Sequence, residues 1–167
     1  MRRRWLGTVI GLAALGAGLS GAAPAVVAQG ADLPPCTTQV AFPQISGFNP
    51  TPAPNATPAQ QSLIGYWQGV WEASDGTRMP TRLVVGALIP SGQMRGWYLW
   101  GDQPAWGASA GYERIMTDPV TPSGHFGWGS GSAWYEFDLQ PDGTLSGHRD
   151  QPGSMTTTVT LTKCSWQ

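Results

Sequence analysis

From Ser62 onward the chain is written in short runs of alternating apolar and polar residues, each closed by turn formers. No stretch carries apolar residues at i, i+3, i+4 and i+7 over a helical length, so little helix is predicted. The period-two runs predict strands instead. The first covers 63–73 and ends at Ser74, Asp75, Gly76 and Thr77, a strong hairpin signal. Further runs occupy 81–89, 94–101, 111–117, 125–130, 133–140, 144–150 and 155–163. Residues 102–110 form a looser stretch, suited to a lid or a connection around a barrel mouth.

Short strands joined one to the next by tight turns predict an antiparallel meander. Eight such strands suffice to close on themselves, which removes the exposed edges of an open sheet. The fold class predicted is therefore all-β: a single antiparallel up-and-down β-barrel of about eight strands, whose interior holds side chains or one small ligand. A two-sheet sandwich also fits this strand count. The first strand sharpens the picture, since Gly65, Trp67, Gly69 and Trp71 share one face. Glycine beside tryptophan suits the inside of a sharply bending wall, where an indole needs a neighbour without a side chain.

The first 61 residues are different material. Arg2, Arg3 and Arg4 precede an apolar run rich in Ala, Leu and Gly, and Val26 and Ala28 sit at −3 and −1 of a cleavage point after Ala28. Residues 1–28 thus read as a signal peptide, with a twin-arginine route left open by the arginines. The apolar run is short for a span, so no membrane crossing is expected after cleavage. Residues 29–61 carry prolines at 43, 50, 52, 54 and 58 and read as an extended arm or linker. Residues 62–167 are the barrel domain. Of nine Lys and Arg, three leave with the signal, so six basic residues face ten acidic ones, a net charge of −4. No basic run survives, which argues against nucleic acid and anionic membrane surfaces as partners. Two cysteines remain, Cys36 and Cys164, one near each end. In an oxidising compartment they predict one disulfide, strapping the arm to the last strand; a pair of free thiols is the alternative.

The segment 63–72, LIGYWQGVWE, resembles the Gly-x-Trp opening of the lipocalins and the wider calycin superfamily. Trp100–Gly101, the PAWG of 104–107 and the PDGTLSG of 141–147 are similar to segments of lipocalin-like domains in exported bacterial proteins. The resemblance spans most of the chain after the arm and implies a periplasmic or secreted protein. The C-terminal helix of many lipocalins has no counterpart here. Calycins host many ligands and some enzymes, so function must be argued from the site.

Candidate chemistry is sparse. Seven of the nine tryptophans fall between 67 and 134. Trp67 and Trp71 read as core, whereas Trp97, Trp106 and Trp128 read as lining a cavity mouth, where they could stack on a flat apolar ligand. Leu99, Tyr112 and Tyr135 complete the expected ligand-binding set, with Arg95 or Arg114 as polar anchor. Glu136 and Asp138, two apart and about 6–7 Å between Cα atoms, could serve acid–base hydrolysis. However, Tyr135, Phe137 and Leu139 make the opposite face the inward one. His125 and His148 lack metal-ligand spacing, so neither a metal nor another cofactor is expected. G-x-S-x-G and phosphate-loop motifs are absent. The expected function is non-catalytic binding of a small, mostly apolar ligand by an exported protein. The alternatives are an inhibitor acting through the arm or the barrel rim, and a hydrolase using Glu136, Asp138 or His148.

Overall fold

A computed structural model describes residues 33–38, 40, 51, 53–154 and 156–165. The segment 1–28, read above as an export signal, lies outside the described residues. Eight strands follow one another: β1 (Gly65–Ala73), β2 (Arg78–Leu88), β3 (Gln93–Trp100), β4 (Gly111–Pro119), β5 (Phe126–Ser130), β6 (Ala133–Leu139), β7 (Leu145–Asp150) and β8 (Thr157–Cys164). They form one antiparallel sheet in the order β4-β3-β2-β1-β8-β7-β6-β5. Neighbours in sequence are neighbours in space, and β8 returns to pair with β1. The sheet curls until β4 faces β5, giving a nearly closed up-and-down barrel. Among the described residues no backbone ladder joins β4 to β5. A side-chain bond spans that seam, Ser130 Oγ donating to Glu113 Oε2 at 2.7 Å.

The hairpins close because their turn chemistry is local. In the β1–β2 turn Gly76 takes φ +83°, and its N–H donates to Ala73 O at 2.9 Å. Asp75 Oδ1 accepts from Thr77 N at 2.8 Å. Asp142, Gly143 and Thr144 repeat the arrangement between β6 and β7. The left-handed residue of such three-residue loops favours glycine. The bonds from Thr77 and Thr144 stabilise the ionised carboxylates and hold Asp75 and Asp142 below the usual carboxylate range.

Inward-facing residues build the core. Trp67, Trp71, Leu83, Met94, Tyr98, Phe126, Phe137, Leu145 and Leu161 are essentially inaccessible to solvent. Trp128 stacks on Tyr135 at 5.0 Å between centroids and on Phe137 at 5.4 Å. Trp71 meets Tyr135 and Phe137 edge-on, each at 5.9 Å. Such pairs contribute about 0.5–1.5 kcal/mol each beyond their buried area. The glycine–tryptophan face of β1 is the inner wall, as its pattern implied. A Cβ on Gly69 would lie 2.5 Å from Thr160 O and 2.8 Å from Leu161 Cδ2, so the wall is packed there.

One end of the barrel is plugged. A short helix, α1 (Pro58–Ser62), sits where β1 begins, within the stretch expected to be extended. Thr57 and Gln60 form a capping box, and Pro58 occupies the first turn. Gln60 Nε2 donates to Val120 O at 2.9 Å and Thr57 Oγ1 to Pro122 O at 3.0 Å, which seats the helix. Leu63 and Ile64 then turn into the core, and Trp67 Nε1 donates to Leu63 O at 2.8 Å. Lys163 closes the same end, with Nζ 2.5 Å from Ser62 O and 5.3 Å from the Trp67 ring centre.

The arm is strapped to the outside. Cys36 and Cys164 form a disulfide across 128 residues of sequence. Pro35 pairs in parallel with Ser165. Gln68 Oε1 accepts from Thr37 N at 2.7 Å and Thr38 N at 2.9 Å, and Arg82 Nη2 donates to Cys36 O at 3.2 Å. Further on, Thr51 N donates to Gly86 O at 2.8 Å.

Candidate functional site

The opposite end of the barrel is open. There β1, β3, β5 and β7 finish, β2, β4, β6 and β8 begin, and the β3–β4 connection crosses above. Inward residues at these strand ends enclose a cavity of about 350 Å³. Tyr98 and Trp100 of β3, Tyr135 of β6 and Trp106 of the connection form aromatic walls. Met79, Ala133 and Ala108 add apolar surface, and Glu113, Ser130, Ser132, Arg149 and Gln151 supply the polar groups. A volume of this order lies in the range that small organic ligands occupy.

The roof follows from its own sequence. Pro104–Trp106 make one 3-10 turn, ended by Gly107 at φ 64°. Gln103 accepts from Ala105 N at 3.1 Å through its side chain and bridges to Ala108 through its backbone. Its Nε2 also donates to Arg78 O at 2.5 Å, tying the roof to β2. Asp102 Oδ1 accepts from Ala110 N at 2.7 Å, and Trp100 Nε1 donates to Ser109 O at 2.9 Å. These bonds hold Trp106 half-buried against the core.

The polar floor is pre-arranged. Tyr98 hydroxyl accepts from Trp71 Nε1 at 2.8 Å, and burial raises the Tyr98 pKa far above that of free tyrosine. Arg149 Nε donates to Tyr135 hydroxyl at 3.2 Å, and Arg149 Nη2 donates to Gln151 Oε1. Glu113 gives one carboxylate oxygen to Ser130; the other, Oε1, is buried without a hydrogen-bond partner.

The expected ligand set divides by strand face. Trp106 and Tyr135 line the cavity. Trp128 is buried in the aromatic stack beneath it and does not reach the mouth. Trp97, Leu99, Tyr112, Arg95 and Arg114 do not line it. Met94 and Tyr98 set the inward parity of β3, so residues 95, 97 and 99 point out. On β4 the buried Ile115 and Thr117 do the same for Tyr112 and Arg114. Outside, Arg114 lies 4.9 Å over the Trp97 ring, which meets Tyr112 at 5.7 Å. Leu99 is fully buried yet outward, opposite Arg82 on β2. Trp100, Tyr98, Glu113 and Arg149 belong to the cavity although the sequence pattern did not single them out. Arg149 shares the parity of the apolar Leu145, which is the signal that would have found it.

Glu136 and Asp138 lie on the outer face, as the alternation of β6 required. Glu136 approaches His148 at 3.1 Å and accepts from Trp134 Nε1 at 2.9 Å; Asp138 meets His125 at 2.8 Å. No group of three or more His, Cys, Asp or Glu among the described residues is placed to hold a metal ion. A larger groove, about 540 Å³, runs along the outside where Thr38 of the arm meets Gln68, Glu72, Thr158, Thr160 and Thr162. Its lining is polar and outward-facing, without the aromatic walls that would desolvate a small molecule.

The fold and this mouth define a small β-barrel with one plugged end and one aromatic-lined open end. No protein-family model matches the chain, and no curated protein matches it. Among solved structures it is similar to a designed protein, a de novo fluorescence-activating beta barrel, at 16% identity. That likeness covers 63% of this chain and 96% of the designed one, with a TM-score of 0.47, and nothing about ligands or chemistry follows from it.

Proposed function

We propose that this protein is a lipocalin-like binder of a small, flat, largely apolar molecule, held without catalysis in the open mouth of the barrel. One observation carries the reading. The cavity of about 350 Å³ is walled by Tyr98, Trp100, Trp106 and Tyr135 and roofed by a turn that its own hydrogen bonds hold in place. Below this mouth the barrel interior is filled by the aromatic stack, so the ligand sits at the rim and does not enter deeply. The Gly65-Tyr66-Trp67 opening and the eight-strand meander support the lipocalin-like assignment.

Export into the periplasm or the medium belongs to the same proposal. The Cys36–Cys164 disulfide is a bond that oxidising compartments maintain. No helix among the described residues is long and apolar enough to cross a membrane. Isothermal titration with a neutral flat probe, 2-naphthalenemethanol, tests the binding claim. The natural chain should bind it, and Ala133→Trp, which places an indole in the mouth, should abolish binding. Equal binding by the two proteins refutes the proposal.

A further inference from the structure

Arg149 is an unusual residue for the inner face of a barrel strand. It follows Leu145 and Gly147 on the same side of β7, both of them buried. A guanidinium so placed is normally matched by a carboxylate, because an unpaired charge withdrawn from water is costly. Among the described residues no carboxylate forms an ion pair with it. Its hydrogen-bond partners there are neutral: Tyr135 hydroxyl, which accepts from Nε at 3.2 Å, and Gln151 Oε1, which accepts from Nη2. An arginine has five N–H donors in a fixed fork, so the rest can serve a ligand. No nitrogen of Arg149 is among the buried, unpartnered polar atoms, and the residue lines the mouth cavity.

The other charged residue of the cavity is disposed differently. Glu113 reaches in from β4, on the far side of β5 and β6 from β7. One of its oxygens is taken by Ser130, and the other is shut away from solvent. Arg149 is the one cationic side chain among the residues lining the mouth. It is also held in place, with the Arg149 Cζ 5.7 Å from the Tyr135 ring centre and Nε bonded to that ring's hydroxyl.

We infer that the mouth selects flat apolar molecules that carry a carboxylate or a similar planar anion, with Arg149 gripping the anion while Trp100, Trp106 and Tyr135 hold the ring. A guanidinium meets a carboxylate with two parallel charge-assisted hydrogen bonds. The aromatic walls exclude water from that pair and supply the area that a small ligand must bury. This inference rests on the mouth being a binding site, as proposed above, and adds the charge of the ligand.

Isothermal titration with three probes of one shape separates the two claims: 2-naphthoate, 2-naphthalenemethanol and 2-naphthylmethylammonium. The natural protein should bind the naphthoate at least tenfold more tightly than the alcohol, and the ammonium most weakly. In Arg149→Gln the Kd for naphthoate should fall into line with that of the alcohol measured on the same variant. Equal affinity for acid and alcohol in the natural protein overturns the inference while leaving the binding site standing, as does an acid preference that survives in Arg149→Gln. If none of the three probes binds, the inference and the binding-site reading fail together.

Discussion

Inside the barrel, the indole N–H of Trp71 on β1 donates to the hydroxyl of Tyr98 on β3 at 2.8 Å. Both residues are almost wholly removed from solvent. The bond crosses over β2, which lies between the two strands, and it fixes the tyrosine that floors the mouth cavity. A buried donor left without its acceptor costs about 1–3 kcal/mol. Tyr98→Phe keeps the ring and removes only the hydroxyl, so it should destabilise the fold by roughly that amount. Urea unfolding checks this: the midpoint should fall with an unchanged slope, since the change leaves the compactness of both states alone.

The disulfide should carry a large share of the stability. It joins residues 128 apart in sequence, and in the chain-entropy model such a closure is worth about 4–5 kcal/mol, with measured losses for small domains of about 2–5. Cys36→Ser paired with Cys164→Ser should lower the urea midpoint accordingly. It should also loosen the arm beyond Cys36, because Thr37 and Thr38 are tied to β1 by one backbone N–H bond each, both to Gln68 Oε1. Amide hydrogen exchange at Thr37 and Thr38 reads that loosening directly.

How far the sequence reached follows from which signals are local. Strands and hairpins were legible because Ser-Asp-Gly-Thr and Pro-Asp-Gly-Thr encode their turns in four residues, and β6 shows a clean alternation around Tyr135 and Phe137. The faces of β3 were not legible. Trp97 and Leu99 on one side are as apolar as Tyr98 and Trp100 on the other, so periodicity cannot choose between them. The choice is made by pairing with β2 and β4, a non-local matter of register. Most of the expected pocket was therefore placed on the outer wall. The helix at Pro58–Ser62 was hidden by its proline-rich setting, although Thr57 and Gln60 spell a capping box. Arg149 shares the inward parity of Leu145, but a charged residue late in a strand reads as solvated until the barrel closes around it.

Two tryptophans from the expected set should now behave oppositely. Trp106 belongs to the roof and lines the mouth; Trp97 stands outside beneath Arg114. Truncating an aromatic anchor in a desolvated pocket costs about 2 kcal/mol or more. Trp106→Ala should therefore weaken binding of 2-naphthalenemethanol at least tenfold, while Trp97→Ala leaves its Kd unchanged. Titration calorimetry of both variants decides the matter, and a larger loss in Trp97→Ala would move the site to the outer wall.

Lys163 sets a pH dependence with a definite sign. Burial at the plugged end lowers its pKa to about 8, against 10.5 for a free lysine. Below pH 8 the amine is protonated in both folded and unfolded chains, and the folded state bears the full cost of desolvating the charge. Between pH 8 and 10.5 the unfolded chain binds more protons than the folded one, so stability must rise with pH across that window. Tyr98 acts in the opposite sense at the upper edge. Its pKa is raised in the folded barrel, so above pH 10 the unfolded chain loses a proton that the folded one keeps, and stability falls. The two together predict a maximum near the top of the window, at about pH 10. Lys163→Met retains the apolar stem over Trp67 and removes the titrating group. It should flatten the rise from pH 8 while leaving the fall above pH 10 in place. Urea midpoints measured across this range for both proteins test it; a rise that persists in Lys163→Met would assign the effect to another group.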